Sequence, residues 1–394
     1  NDTMDGGAGD DILDAGDGTN TIIGGAGDDN ITGGSGVDTI TGGDGDDTID
    51  SETGNDSVSG GAGDDTFTFD TTGDLTSADT VDGGEGTDTL TLTQATAFAA
   101  APTLTSIERV DATITGAVAI DMSGAASLER FDVENGTTAS SSVTNLKDGV
   151  TVRLFDADVQ ATIDTVAGAS VTIDSRIDQT TGTMSITDAA SVTLTTTATT
   201  NADSFNGVVF DNDDTTSVTV VAGANAAADV STGNLTGTDS LTSFTMTSST
   251  AGSVGTVGTI ADADALTDLS ITANYGDLTV GNIGASGSAE NLASVTVSAD
   301  NGATATLSGT ITADTTDSAS DLAMTVTSTA ETSSTVDLGT VTNTFGAITG
   351  TFGGAGTTDS TALTADDVTL TINSGGGTHA AITATDDVVM TVAN

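Results

Sequence analysis

Cysteine is absent from the 394 residues, so neither disulfides nor thiolate metal sites contribute to the fold. Positive charge is nearly absent as well: five Lys and Arg stand against 58 Asp and Glu, for a formal net charge of -53. All five basic residues, Arg109, Arg130, Lys147, Arg153 and Arg176, fall in one window, and the rest of the chain has no cation of its own with which to pair. A field of that sign repels nucleic-acid phosphates and anionic lipid head groups, so neither DNA nor RNA is an expected partner, and it attracts divalent metal. No apolar run approaches the ~20 residues that cross a bilayer, and no basic-then-apolar leader opens the chain; direct membrane insertion is not expected.

The side chains of catalysis are scarce too. The single histidine, His379 in the segment GGGTHAA, cannot build HExxH or a histidine triad and reads as a surface-loop residue. No G-x-S-x-G elbow, phosphate-binding glycine loop or cysteine nucleophile occurs, and no enzyme activity is expected. Aromatic residues make up 3% of the chain, and with this much negative charge the composition alone reads as disordered. Alternation of β-branched and small residues over 89–93, 217–220, 294–298 and 368–372 argues instead for strands, and amphipathic helix patterns are missing. The expectation is an all-β chain.

What the chain has in abundance is a nonapeptide. The frame G-G-x-G-x-D-x-U-x, with U apolar, begins at Gly6, Ala15, Gly24, Gly33, Gly42, Ser51 and Gly60 without a slip in register. Its sixth place holds Asp2, Asp11, Asn20, Asp29, Asp38, Asp47, Asp56 and Asp65; its eighth holds Met4, Leu13, Ile22, Ile31, Ile40, Ile49, Val58 and Phe67. After an interruption at 69–82 the frame returns once, over 83–91, with Asp88 and Leu90 in those places, which reads as a terminal or capping copy. Residues 1–5 fit the last five places of a nonapeptide, so more repeat is expected before them.

Copies starting at Gly6, Gly24, Gly42 and Gly60 read GGxGDD, while those between are degenerate (AGDGTN, GGSGVD, SETGND), so the true period is eighteen residues. Eighteen residues make two short strands and two turns, one coil of a flattened solenoid whose two turn types line opposite edges. Asp11, Asp29, Asp47 and Asp65 then stack with the ~4.8 Å spacing of neighbouring strands. Two unit charges at that separation repel by roughly 1 kcal/mol in water-like surroundings and by roughly 3 to 4 at an effective dielectric near 20. A divalent ion between successive turns reverses the sign of each term, and calcium accepts six to eight oxygen ligands in flexible geometry. The glycines supply positive φ and uncovered carbonyls, and the apolar eighth residues form a core too thin to close the coil by itself.

On these residues the frame resembles the RTX (repeats-in-toxin) parallel β-roll, a calcium-binding nonapeptide repeat. The resemblance covers residues 1–91 and implies several calcium ions, each between copy i and copy i+2 and held by sixth-place carboxylates and turn carbonyls. It carries over to Asp11, Asp29, Asp47 and Asp65, and further to Asp2, Asp38, Asp56 and Asp88. Asn20 keeps an oxygen but loses a charge, and Ser51-Glu52 replaces a glycine pair, so weaker sites are expected at those turns.

Beyond residue 91 a looser repeat, Leu241-x-x-Phe244-x-Met246, Leu266-x-x-Leu269-x-Ile271 and Leu292-x-x-Val295-x-Val297, with Leu128-x-x-Phe131-x-Val133 as a relative, suits either a wider solenoid coil or a repeated hairpin. Three segments are expected: a β-roll over 1–91, a β-rich segment over 92–200 holding all the basic residues, and a Thr/Ala/Ser-rich repetitive segment over 201–394, the latter two being β-solenoid or β-sandwich repeats. Acidic pairs Asp156-x-Asp158, Asp211-x-Asp213 and Asp262-x-Asp264 read as solvated turns or additional calcium loops. The basic window reads either as local pairing with Glu108 and Glu129 or as a grip on an acidic neighbour or glycan.

An RTX block running into Thr/Ala/Ser/Asp-rich β repeats is similar to bacterial surface-layer (S-layer) proteins secreted by the type I pathway. That resemblance implies export in the unfolded state, folding where calcium is near millimolar, an extracellular location on the cell surface, and self-association into a two-dimensional lattice. Any hold on a cell-surface glycan or lipopolysaccharide is expected from a segment outside this chain. Two other readings remain open from the residues: an RTX adhesin, and the C-terminal secretion portion of an RTX enzyme or toxin whose active domain lies elsewhere.

Overall fold

A computed structural model describes residues 1–94, 101–135, 141–155, 161–176, 183–196, 203–205, 207–211, 214–222, 229–248, 250, 253–261, 263–283, 291–313, 322–328, 335–343, 348–354, 357–365, 368–373, 377–379, 382–384 and 388–393. Among them every secondary element is a strand and none is a helix. The chain divides into two units, Asn1–Val171 and Thr172–Asn394.

In the first unit the frame folds as two parallel sheets. One contains β1 (Thr3–Ala8), β3 (Thr21–Ala26), β5 (Thr39–Asp44), β7 (Ser57–Ala62), β9 (Thr80–Glu85) and β11 (Thr103–Thr105), in that order. The other contains β2 (Ile12–Asp14), β4 (Asn30–Thr32), β6 (Thr48–Asp50), β8 (Thr66–Phe69), β10 (Thr89–Gln94) and β12 (Arg109–Ile114). Because each strand pairs with the strand one coil later, eighth-place residues stack on themselves. Met4, Ile22, Ile40, Val58, Val81 and Leu104 are register partners along the first sheet. Leu13, Ile31, Ile49, Phe67, Leu90 and Val110 are partners along the second. Those from Ile22 to Phe67 are at most 3% exposed, so one apolar residue per strand, with Phe69 added in β8, builds the core between the sheets.

The interruption at 69–82 does not break the stack. It lengthens one coil, so that hydrogen-bonded partners separated by 18 residues before it are separated by 23 across it. The frame copy over 83–91 is an interior coil rather than a cap, since β10 pairs with β8 on one side and β12 on the other. Thr89–Gln94 is apolar at alternate places, and Leu90 and Leu92 are both buried, which gives the next coil a surface to bind.

The second unit is also built of parallel strands one coil apart. Ser217–Ala222, Ser243–Ser248, Asp268–Ala273, Ser294–Ala299 and Leu322–Ser328 pair in succession, with Phe244, Leu269 and Val295 in one register column and Met246, Ile271 and Val297 in another. Between the two forms the loose repeat left open, the structure has the wider solenoid coil: the pairings are parallel and span 25 to 29 residues, which no hairpin allows. His379 lies in the strand Gly377–His379, parallel to Thr357–Ala365, and not in a loop; its glycine-rich flank had suggested a turn, but sheet pairing prevails. Asp156, Asp158, Asp213 and Asp262 lie outside the described residues.

Candidate metal centre

The turns of the roll hold two ladders of sixth-place side chains. On the edge of the GGxGDD copies, Asp29 Oδ1 accepts the backbone N–H of Asp11 at 2.7 Å, and Asp47, Asp65 and Asp88 each accept the N–H of the preceding member at 2.8 Å. On the other edge Asn20 accepts from Asp2 at 2.9 Å, Asp38 from Asn20 at 2.8 Å, and Asp56 from Asp38 at 2.9 Å. One side-chain oxygen of each accepting residue is thus consumed in tying its coil to the one before.

The other oxygen is left over. Oδ2 of Asp11, Asp29, Asp38, Asp47, Asp56, Asp65 and Asp88 is buried with no hydrogen-bond partner. An orphaned charged oxygen in the interior is costly unless a cation meets it. The glycine in the first frame place shows which backbone oxygen stands near it. A Cβ on Gly6 would stand 2.7 Å from Asp11 Oδ2 and 2.7 Å from the carbonyl oxygen of Gly24, one coil on. The same pairing of a carboxylate oxygen with the next coil's carbonyl recurs at Gly24, Gly42 and Gly60, and at Gly33 with Asp38 Oδ2 at 2.9 Å and the Ser51 carbonyl at 3.0 Å. Glycine in the second place has its own necessity: Gly43 has φ +133°, and a side chain there would run into the Gly25 carbonyl.

Electrostatics mark the same atoms. Burial pushes the Asp65 carboxyl up to about 7, helped by the charges of Asp47, Asp88 and Asp46 and opposed by its bond to the Asp47 N–H. Burial likewise takes Asp56 to about 6, with Asp79 and Asp38 adding to it. Asp47 and Asp88 are raised for the same first reason. All the candidate ligands are oxygens, half of them carbonyl, which suits a hard cation of flexible coordination such as calcium. Among the described residues no three His, Cys, Asp or Glu converge on one point, so backbone carbonyls must supply much of any ligand set.

The expected residues differ in how they stand. Asp2 is exposed and enters only through its N–H. Asn20 is buried, and its amide nitrogen donates to the Gly16 carbonyl at 3.0 Å and reaches the Gly33 carbonyl at 3.5 Å. An N–H thus reaches the carbonyl that, at the other edge, faces an orphaned carboxylate oxygen. Asp79 joins the second ladder unforeseen: its Oδ1 accepts the Asp56 N–H at 2.7 Å, while Oδ2 accepts the Thr76 N–H at 2.6 Å. The pattern Asp79-x-Val81 repeats the sixth and eighth places of the frame and was the available signal. A third ladder, on the fifth place, is exposed and runs the opposite way: Asp28, Asp46 and Asp64 donate their N–H to Oδ1 of Asp10, Asp28 and Asp46 at 2.8 to 3.0 Å.

Three residues of the basic window pair locally, and among the described ion pairs their partners are Asp111, Asp132 and Asp174 where Glu108 and Glu129 were expected. Arg130 lies 3.0 Å from Asp132 and 3.7 Å from Asp111, Arg153 lies 3.9 Å from Asp132, and Arg176 lies 2.9 Å from Asp174. Parallel register sets this, because Asp111, Asp132 and Arg153 are neighbours across three strands while sequence-adjacent residues face opposite ways.

Residues 1–31, 32–67 and 75–92 match the family model of the RTX calcium-binding nonapeptide repeat (4 copies). In those segments the chain therefore carries RTX-type repeats, a class of repeat that binds calcium. No curated protein and no solved structure matches the chain.

Proposed function

We propose that the chain is a secreted, calcium-dependent structural protein, a subunit of a bacterial cell-surface layer that folds and assembles outside the cell. The observation that carries the calcium part is the row of buried, partnerless Oδ2 atoms of Asp11, Asp29, Asp47 and Asp65, each opposite a turn carbonyl of the next coil. Several calcium ions fit there, supplying positive charge and oxygen coordination between coils. The chain's own residues do the rest: Oδ1 atoms fix the coil spacing, glycines keep the carbonyls accessible, and the Ile and Val columns close behind them. With little calcium the aspartates repel and the roll is only marginally stable; with calcium near millimolar, folding and binding are one equilibrium.

The lattice role is supported by the sequence resemblance and by the solenoid coils that continue past the repeats, parallel stacks suited to a scaffold. Self-association into a two-dimensional array is the partner this reading requires. Calcium titration of the purified protein, followed together by circular dichroism and electron microscopy, tests it. Ordered arrays that appear with the β spectrum and vanish in chelator are expected. Isolated rods at saturating calcium turn the reading to an adhesin, and an unchanged spectrum in excess chelator overturns the calcium part.

A further inference from the structure

The glycine frame ends at residue 91, yet the ladder of its first edge does not. Asp88 donates its N–H to Glu108 Oε2 at 2.9 Å, as Asp11, Asp29, Asp47 and Asp65 donate theirs to the next aspartate. The segment LTSIERV contains no nonapeptide, and its turn is shorter: Leu104 pairs with Val81, 23 residues before it, whereas Glu108 meets Asp88, 20 residues before it, so three residues are missing from the turn. Ser106 adopts φ +50°, a left-handed conformation otherwise held in this roll mainly by glycines.

The space enclosed by this turn is of the same kind as those before it. Asp88 is 0% exposed, and its Oδ2 is buried without a partner. A Cβ on Gly83 would collide with both Asp88 Oδ2 and the carbonyl oxygen of Ser106, the pair of atoms that at Gly60 is Asp65 Oδ2 and the Gly83 carbonyl. Four spaces separate the five frame turns headed by Gly6, Gly24, Gly42, Gly60 and Gly83; this one is the fifth, and its far wall lies wholly outside the repeat.

We infer that the cation-binding edge extends one coil beyond the glycine frame, to a further calcium site formed by Asp88 Oδ2 and the Ser106 carbonyl and closed by Glu108. The inference rests on calcium binding at the frame spaces. The site joins the repeat to the coils that follow it, so the ion there ties the metal-dependent part of the stack to coils that lack the frame. Glu108 is a positioning residue: it holds the Asp88 backbone, and through it the orphaned oxygen, at the height of the Ser106 carbonyl.

The test uses the full chain at saturating calcium, with bound metal counted by equilibrium dialysis and elemental analysis, and the fold checked by circular dichroism. Asp88→Asn keeps the Oδ1 acceptor for the Asp65 N–H and puts an amide beside the Ser106 carbonyl, the arrangement Asn20 already shows to be compatible with the roll. It is expected to bind one calcium ion fewer than the parent, as is Asp47→Asn, while Glu108→Ala keeps the parent's count at saturation but needs at least tenfold more calcium to fill the last ion. A folded Asp88→Asn with the parent's full count, beside an Asp47→Asn that has lost an ion, overturns the fifth site and leaves the frame sites standing. A parent chain that binds no calcium overturns both. Should Asp88→Asn fail to fold, Glu108→Ala decides: an unchanged calcium affinity at every ion overturns the proposal, while Glu108→Gln, which keeps an oxygen acceptor for the Asp88 N–H, is expected to stay close to the parent.

Discussion

Asp65 accepts the backbone N–H of Asp47 at 2.8 Å with one carboxylate oxygen and buries the other with no partner, so a single side chain both ties two coils together and strains them electrostatically. Without metal the strain is relieved by a proton. Burial raises the Asp65 carboxyl from an ordinary 3.8 to about 7, and Asp56 to about 6. A group that is more basic in the folded state takes up a proton on folding, so its penalty is absent below the unfolded value and grows as pH rises from 3.8 to the folded value. The chelated chain is therefore expected to melt at a higher temperature near pH ~5 than near pH ~8, the interval spanned by these shifts. Thermal unfolding in chelator, followed by circular dichroism, checks it; a melting temperature that rises over that interval contradicts the assignment of Asp65 and Asp56.

Asn20 meets the same problem in another way. Its Oδ1 accepts the Asp2 N–H while its amide nitrogen donates to the Gly16 carbonyl, so this turn is satisfied without a cation. Asn20→Asp exchanges that donor for a buried charge. The expected result is a loss of about 1–3 kcal/mol in chelator, the cost of stranding a buried polar group, part of it regained on adding calcium. Denaturant titrations with and without calcium measure both. Equal stability of the variant and the parent in chelator would show that the amide contributes nothing.

The coil of eighteen residues, its apolar columns and the Asp11 ladder were legible because each copy repeats the same chemistry in the same place. Asp79 was not, because the five extra residues of its coil move it out of frame, although Asp79-x-Val81 keeps the frame's spacing of carboxylate and core residue. Glu108 was hidden further, by its different residue type and by a turn with no glycine. The acidic neighbour of Arg130 was read as the adjacent Glu129, but strand alternation puts Arg130 on the face of Asp132, two residues on, and parallel register brings Arg153 beside the same carboxylate. The fifth-place ladder of Asp28, Asp46 and Asp64 was visible as a doublet but its backbone bonds were not, since nothing in GGxGDD tells which aspartate turns inward.

Glu52 replaces a second-place glycine and adopts φ +57°. A left-handed conformation costs a residue with a Cβ roughly 1–2 kcal/mol relative to glycine. Its carboxyl is raised first by desolvation and then by the charges of Asp50, Asp74, Asp14 and Asp17, so the side chain adds repulsion as well as strain. Glu52→Gly is expected to stabilise the roll by about 1 kcal/mol in chelator, with a smaller gain in high salt where the repulsion is screened. Denaturant midpoints at two ionic strengths check it, and a destabilised variant would mean that the Glu52 N–H bond to Asp50, at 2.9 Å, depends on the side chain that glycine removes.

Asp46 and Asp47 are neighbours in sequence and opposites in role. Asp46 Oδ1 accepts the Asp64 N–H on the exposed ladder, while Asp47 Oδ1 accepts the Asp29 N–H on the buried one and leaves Oδ2 facing the Gly60 carbonyl. Asp46 also adds repulsion to both Asp47 and Asp65. Its replacement by alanine loses one solvent-exposed hydrogen bond, about 0.5–1 kcal/mol, and relieves that repulsion, so the chelated chain is expected to change little. Asp47→Ala strands a buried N–H and removes a candidate ligand, and is expected to cost about 1–3 kcal/mol in chelator and much more with calcium, where an ion is lost as well. Calcium-dependent stabilisation, measured as the shift in unfolding midpoint between chelator and saturating calcium, separates the two. It should be preserved in Asp46→Ala and sharply reduced in Asp47→Ala, and the reverse order would place the cation on the exposed ladder instead.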